Sequence, residues 1–334
     1  MGDHDHLLTG LNGRQRQAVT LPSTPLVILA GAGSGKTRVL TRRIAWQAAT
    51  GGIDASHAVA VTFTRKAAGE LSSRLEALGV RRRVAAGTFH ALAWRQLRRR
   101  WADRREREPA LLDRKARLLA PMLAGATSSA AERPGRQLGV EAAEVAGEIE
   151  WAKARLVPPS GYEHAVAEAG RATPRPPREV AGLYQRYEED KTRRGLVDFD
   201  DLLWRLADAL ESDGDFAAAT RWRFRHLFVD EFQDVNPAQY RLIRAWLGPN
   251  SDLCVVGDDD QAIYGFSGAD AGYLTRFADH FPGATSVRLE ENYRSTPQIL
   301  AVAHAVLPGG PRAKKPLRPT VGDGPLPVVR AYPS

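Results

Sequence analysis

The chain has 334 residues, a formal net charge of +8, 43% hydrophobic residues and a single cysteine. That length suggests about two domains, the basic excess fits a polyanionic partner, and one cysteine excludes a disulfide framework and favours a reducing, cytoplasmic setting. The longest uncharged run, 17–35, carries Pro22, Pro25 and three glycines, so nothing reads as a transmembrane helix, and the acidic N-terminus lacks the apolar stretch of a signal peptide.

Leu11 to Val19 reads as the start of an amphipathic helix with Asn12 as N-cap. Leu26 to Leu29 is a continuous apolar run suited to a buried parallel strand, and a glycine-dense turn follows, with Gly31, Gly33 and Gly35 before Lys36 and Thr37. Glycines let successive backbone N–H groups curl round an anion at the positive end of the next helix. In the phosphate-binding pattern G-x-x-x-x-G-K-[ST], the lysine reaches the β/γ-phosphates and the hydroxyl holds Mg²⁺. Ala30 stands where the first glycine of that pattern belongs.

After Thr37 a helix is predicted from its stripe of Leu40, Ile44 and Ala48, ending at Gly51-Gly52. Ala58 to Thr62 is a second buried strand. The helix after it carries Ala67, Ala68, Leu71, Leu75 and Leu78 on one face and ends at Gly79. A further strand, Arg83 to Phe89, ends at His90. This alternation predicts an α/β class with a parallel sheet and right-handed crossovers. From Ala91 to about Gly195 the periodicity turns helical and arginine becomes dense, with ten Lys/Arg against four Asp/Glu between Arg95 and Arg117. A solvated helical face explains that run as well as a nucleic-acid contact does. Loops are expected at 124–135 and in the proline-rich 171–178.

The sheet resumes with Leu227, Phe228 and Val229, a strand that delivers Asp230 and Glu231 to its C-terminal end, where ligands sit in open parallel sheets. Two adjacent acids there would repel unless a cation lies nearby, so Mg²⁺ is the economical explanation. The first acid would hold the metal, and the second would orient or deprotonate an attacking water. Asn236 caps a helix that starts at Pro237 and closes at Gly248. The strand Leu253 to Gly257 runs into a turn holding Asp258 to Asp260, Gln261, Tyr264 and Phe266, aromatics of the kind that stack on bases. The last strand, Ser286 to Ser295, presents Tyr293 beside Arg294, a ring and guanidinium suited to a nucleobase and a phosphate.

In order and spacing this set, from Leu11 to Ser295, resembles the superfamily 1A helicases of the UvrD/PcrA/Rep family; GEIEWAKARL and FDDLL resemble its actinobacterial UvrD-like form. The resemblance implies a RecA-like fold, with a first part at 1–90, a helical insertion at 91–195, a second part at 196–295 and the start of a second RecA-like domain at 296–334. It implies ATP and Mg²⁺ as cofactors. Ala30, Gly31, Ala32, Gly33, Ser34 and Gly35 would form the phosphate cradle with Lys36 and Thr37, and Gln15, Arg38 and Tyr293 would hold the adenine. Thr37 and Asp230 would hold the metal, and Lys36, Glu231, Gln261 and the finger Arg294 would serve catalysis. Thr62, Phe63, Thr64 and Arg65, then Thr88, Phe89 and His90, with Tyr264 and Phe266, would face single-stranded or tailed duplex DNA. Phe266 stands where the family usually has Trp, Ser267 where it often has Arg, and Arg65 where it usually has Asn.

The implied activity is ATP-driven 3′ to 5′ travel on DNA in repair, with slow hydrolysis and no unwinding expected from this piece alone. Alternatives are the ATPase subunit of a recombination helicase-nuclease and a non-motor module that uses ATP as a switch.

Overall fold

The computed structural model describes residues 4–80, 84–125, 135–250, 252–307, 317–328 and 330. Helix α1 (Gly13–Thr20) opens on a capping box, in which the Asn12 side chain accepts from the Gln15 N–H and the Gln15 side chain accepts from the Asn12 N–H. Three strand-helix units follow: β1 (Leu26–Ala30) with α2 (Lys36–Ala49), β2 (Ala58–Thr62) with α3 (Arg65–Ala77), and β3 (Ala85–Thr88) with α4 (Phe89–Arg104). The third strand is shorter than its sequence suggests. Thr88 caps α4 by accepting from the Ala91 N–H at 3.2 Å, so Phe89 and His90 lie in a first helical turn.

A helical segment comes next, from β4 (Ala110–Leu111) through α5 (Ala116–Gly125), α6 (Gly135–Ala154), α7 (Tyr162–Glu168) and α8 (Pro177–Arg193) to β5 (Leu196–Val197), which pairs with β4. The chain then returns to the sheet through α9 (Phe199–Ser212), α10 (Gly214–Arg223), β6 (His226–Val229), α11 (Pro237–Leu247), β7 (Leu253–Gly257), α12 (Gly272–Thr275), α13 (Phe277–His280) and β8 (Thr285–Leu289). β9 (Glu291–Asn292), α14 (Pro297–Val306) and β10 (Arg318–Pro319) follow.

Six strands form one sheet in the order β3-β2-β6-β7-β1-β8, with every neighbouring pair parallel. This is the RecA-like α/β arrangement that the sequence predicts. Alternation along each strand separates two cores. Val27, Val61, Val229 and Val255 pack against α4, α9 and α11, whereas Ile28, Ala60, Phe228 and the buried Cys254 pack against α2 and α3. Among the described residues no helix is long and apolar enough to cross a membrane.

The helical segment has its own core, which includes Leu112, Leu119, Ile149, Trp151, Tyr162, Leu183 and Tyr187. Helix α4 lies outside it, because Leu92, Ala93, Leu97 and Trp101 are buried in the sheet's core. The boundary expected at residue 91 lies within α4 (Phe89–Arg104), whose buried face belongs to the sheet's core. Of the loop expected at 124–135, residues 126–134 lie outside the described residues, and so do parts of 325–332, where the start of the second RecA-like domain suggests a strand. Residues 325–328 are not in a strand.

Strand register decides where the site forms. Ala30 pairs with Leu289, Leu29 with Gly257, Val229 with Val255, and Thr62 with Thr88. All six strands thus end at one edge, and the residues that follow them are brought together there.

Candidate active site and strand-binding face

The loop after β1 is shaped by its glycines. Gly33 and Gly35 have φ of 70° and 90°, in the left-handed region that a side chain disfavours. A Cβ on Gly33 would lie 2.7 Å from Arg294 Cβ and 2.8 Å from Asn292 Nδ2, and one on Gly31 would lie 2.6 Å from Leu317 Cδ1. Asn292 stitches this loop to the end of β9. Its side-chain amide donates to Ala32 O at 2.6 Å, and its oxygen accepts from the N–H groups of Arg294 and Ser295. The Tyr293 N–H donates to Gly33 O at 2.9 Å.

A cleft of about 570 Å³ opens beside the loop, lined by Ala32, Gly33, Gly35, Lys36, Thr37, Arg38, Glu70, Arg74, Glu231, Gln261, Tyr293 and Arg294. Lys36, Glu231, Gln261 and Arg294, the expected catalytic set, thus share one cavity with Arg38 and Tyr293. Ala30 is buried beneath the loop, where Ser34 bonds back to Gly31 O through both its N–H and its hydroxyl. Gln15 is buried too, and its Nε2 donates to Ser34 O at 2.8 Å. It braces the loop from behind. Arg38 donates to Gly10 O, and the Tyr293 hydroxyl is held between Asn12 and Glu291.

The acids enter from β6. Asp230 is buried, and its N–H extends the ladder by donating to Val61 O. Burial, then the neighbouring Glu231 charge, pushes its pKa up to about 6 against the opposing pull of Lys36 and of a hydrogen bond with Thr37. A buried carboxyl with that cost of ionisation, touching a threonine hydroxyl, suits a divalent cation, so the residues present fit Mg²⁺. Glu231 has φ 50° and ψ 47°, a left-handed conformation rare for a non-glycine residue. That turn aims its carboxylate at Lys36, with Oε2 2.9 Å from Nζ. The pair is close enough for charge attraction but off-axis for a hydrogen bond, so the buried ammonium keeps its donors unmatched. A phosphate oxygen would match them.

Gln233, Asn292, Asp234, Glu70 and Arg74 belong to this neighbourhood although the sequence did not single them out. Gln233 is buried, donates to Glu231 Oε2 at 2.9 Å, and accepts from the Asp258 N–H at 2.9 Å. Asp258 in turn accepts from Gln261. Burial, then the Glu231 charge, pushes Asp234 up to about 6. A buried polar residue following Asp-Glu was the available signal for Gln233; Glu70 and Arg74 gave none, because they sit on the exposed side of an ordinary amphipathic helix.

Glu231 and Gln261 also line a second cleft, of about 670 Å³, with Phe63, Thr64, Asp234, Ile263, Tyr264 and Ser267. The rings of Tyr264 and Phe266 are exposed, 6.1 Å apart and tilted by 41°. Thr64 caps α3, which opens on the exposed Arg65. His90 is half-buried, its ring edge-on to Phe199 and its Nε2 unpartnered, and burial lowers its pKa.

Two residues expected to face a strand do not do so through their side chains. Phe89 is 1% exposed and stacks on Trp246 at 6.2 Å, with Phe63 against its edge at 5.7 Å. Thr62 is also buried, with its hydroxyl turned to Thr64 O. Both follow the inward phase of strand and helix, which the motif's linear order conceals.

A family model described as the UvrD/REP helicase N-terminal domain matches residues 11–282. The chain is 44% identical to ATP-dependent DNA helicase UvrD2 of Mycobacterium tuberculosis strain H37Rv over 313 residues, which is 91% of this chain and 44% of that protein. It is 37% identical to UvrD1 of the same strain over 337 residues, 96% of this chain and 42% of that protein. It is 38% identical to DNA helicase II of Escherichia coli K12 over 310 residues, 91% of this chain and 41% of that protein. The chain therefore spans less than half the length of these curated relatives.

Proposed function

The chain belongs to the UvrD/REP helicase family, and on that premise we propose that it is the ATP-binding and hydrolysing part of a cytoplasmic DNA helicase that travels 3′ to 5′ on single-stranded DNA in repair. The observation that carries this reading is the single cavity in which Lys36, Thr37, Glu231, Gln261 and Arg294 converge. A wall of Glu231 and Gln261 separates it from a second cleft edged by an exposed aromatic.

In this reading the sheet and its flanking helices, α4 included, form one domain, the segment from about 110 to 197 is inserted into it, and residues 296–334 begin a second RecA-like domain. The loop N–H groups and Lys36 bind the triphosphate, and Tyr293, Arg38 and Gln15 receive the adenine, Gln15 by exchanging its bond to Ser34. Thr37 and Asp230 would hold Mg²⁺, which would supply charge neutralisation to the triphosphate. Glu231 orients a water and takes its proton, while Gln261 and Arg294 face the γ-phosphate. Tyr264 and Phe266 stack on bases, and Arg65, Thr64, Thr88 and His90 border the strand's path. Phosphate contacts make binding salt-sensitive and sequence-tolerant.

Single-turnover ATP hydrolysis with the protein in excess, with and without oligo-dT, tests the assignment. Wild type hydrolyses slowly and does not unwind duplex, while Glu231→Gln retains ATP binding and loses about 100-fold in rate. Equal rates would overturn the assignment of Glu231, and brisk DNA-stimulated turnover would overturn the slow hydrolysis proposed for this piece alone.

A further inference from the structure

The turn that carries Phe266 does not stand by itself. It is pressed against α6 of the helical segment, and a Cβ on Gly268, whose φ is 99°, would lie 2.9 Å from Ala154 Cβ and 3.5 Å from Trp151 O. Across the same contact Arg171, in the loop that follows α7, donates from Nη1 to the Phe266 carbonyl at 2.9 Å. The rest of its guanidinium is fixed. Nε donates to Glu148 at 3.0 Å and Nη2 donates to it at 2.9 Å, and Cζ lies 4.9 Å above the Trp151 ring. Glu148 is buried and also accepts from the Tyr162 hydroxyl at 2.7 Å.

A guanidinium held by a buried carboxylate and an aromatic face is a rigid donor. Its one outward hydrogen bond goes to the backbone of Phe266, a residue that is itself 68% exposed. We infer that Arg171 is a positioning residue for strand binding: it fixes the turn so that the Phe266 and Tyr264 rings stand open at their 6.1 Å spacing. The inference rests on the reading of those rings as a base-stacking surface. Arg171 makes that surface a joint product of the sheet domain and the helical segment, so movement between the two would change the grip on the strand.

The test is a double-mutant cycle in the whole chain, read by fluorescence anisotropy of labelled oligo-dT and by ATP affinity. Phe266→Ala checks the underlying reading and weakens oligo-dT binding by about tenfold, the loss of one stacked base. If it does not, that reading fails and this inference with it. Arg171→Lys keeps a cation beside Glu148, which protects the fold, but loses the fork that reaches Glu148 and Phe266 together. It weakens oligo-dT binding at least threefold, leaves ATP affinity unchanged, and adds less than this to Phe266→Ala, since only Tyr264 is then left to position. Gly268→Ala, which disturbs the turn without touching Glu148, behaves in the same way. If Phe266→Ala weakens binding but Arg171→Lys binds like wild type, or if its effect adds in full to that of Phe266→Ala, positioning by Arg171 is wrong while the stacking surface stands.

Discussion

Lys36, which opens α2, and Glu231, in the turn after β6, face each other at 2.9 Å across the cleft, and the lysine has no hydrogen-bond partner of good geometry. The pair has two consequences. The Glu231 carboxylate faces the Lys36 ammonium as its counter-charge, and on the proposed function a phosphate that claims the lysine would release the carboxylate to act on water.

On the proposed function the pair would therefore compete with the triphosphate. Glu231 is 37% exposed, and partly solvated pairs of this kind contribute about 0.2–1 kcal/mol. Glu231→Gln is expected to bind ATP more tightly than wild type, by up to about fivefold in a fluorescent-nucleotide titration. Weaker binding would show that the ion pair does not compete with phosphate.

Gly33 is fixed by both its φ of 70° and the 2.7 Å that a Cβ would leave to Arg294. Gly33→Ala should cost about 1–3 kcal/mol in urea unfolding, as left-handed strain does, and weaken ATP binding at least tenfold. An unchanged titration would mean that the loop's curvature is not what binds phosphate.

Gln233 joins Glu231 to Asp258, and Asp258 joins Gln261. Gln233→Leu leaves the buried Asp258 N–H without its acceptor, an expected loss of about 1–3 kcal/mol of stability. It should also reduce hydrolysis more than ATP binding, because Glu231 and Gln261 lose their common brace. Parallel losses in both, compared by single-turnover rate and nucleotide affinity, would argue against a brace.

Where the helical segment meets α9, Lys153 Nζ lies 3.0 Å from both oxygens of the buried Asp198, and Lys191 and the Tyr187 hydroxyl join it. Burial alone would raise the Asp198 pKa, but the ammonium groups of Lys153, Lys115 and Lys191 outweigh it and hold the carboxyl well below the usual range. A depressed folded pKa gives stability that is complete above the ordinary aspartate value of about 3.9 and is lost as pH falls towards the folded one. Asp198→Asn should cost roughly 3 kcal/mol at pH 7, since it leaves the buried Lys153 and Lys191 only Glu188 and Asp201 as counter-charges. That difference should shrink as urea unfolding is repeated from about pH 5 downward. A difference that stays constant with pH would remove the charge pairing from the explanation.

The sheet was legible because β1, β2, β6 and β7 are apolar runs buried on both faces, and helix limits such as Asn236 and Gly79 are written in capping chemistry. Asp230 and Glu231 were legible because they follow their strand directly, and Lys36 and Thr37 because the glycine-dense turn after β1 leads straight into them. Phe89 misled because a motif read as a line does not say which way a helical turn points. Gln233 and Asn292 were missed because their partners, Asp258 and Ala32, are remote in sequence. The place of α4 in the sheet's core was hidden because amphipathicity says that a face is buried and not against what.

The most direct test of the site is the affinity of Mg-ATP for Lys36→Ala, measured by calorimetry beside wild type. Removing a buried ammonium that has no hydrogen-bond partner and lines the cleft should weaken binding by at least 30-fold while urea unfolding changes little. An affinity equal to wild type would mean that the triphosphate is held elsewhere, and the roles given to Asp230, Glu231 and Arg294 would fall with it.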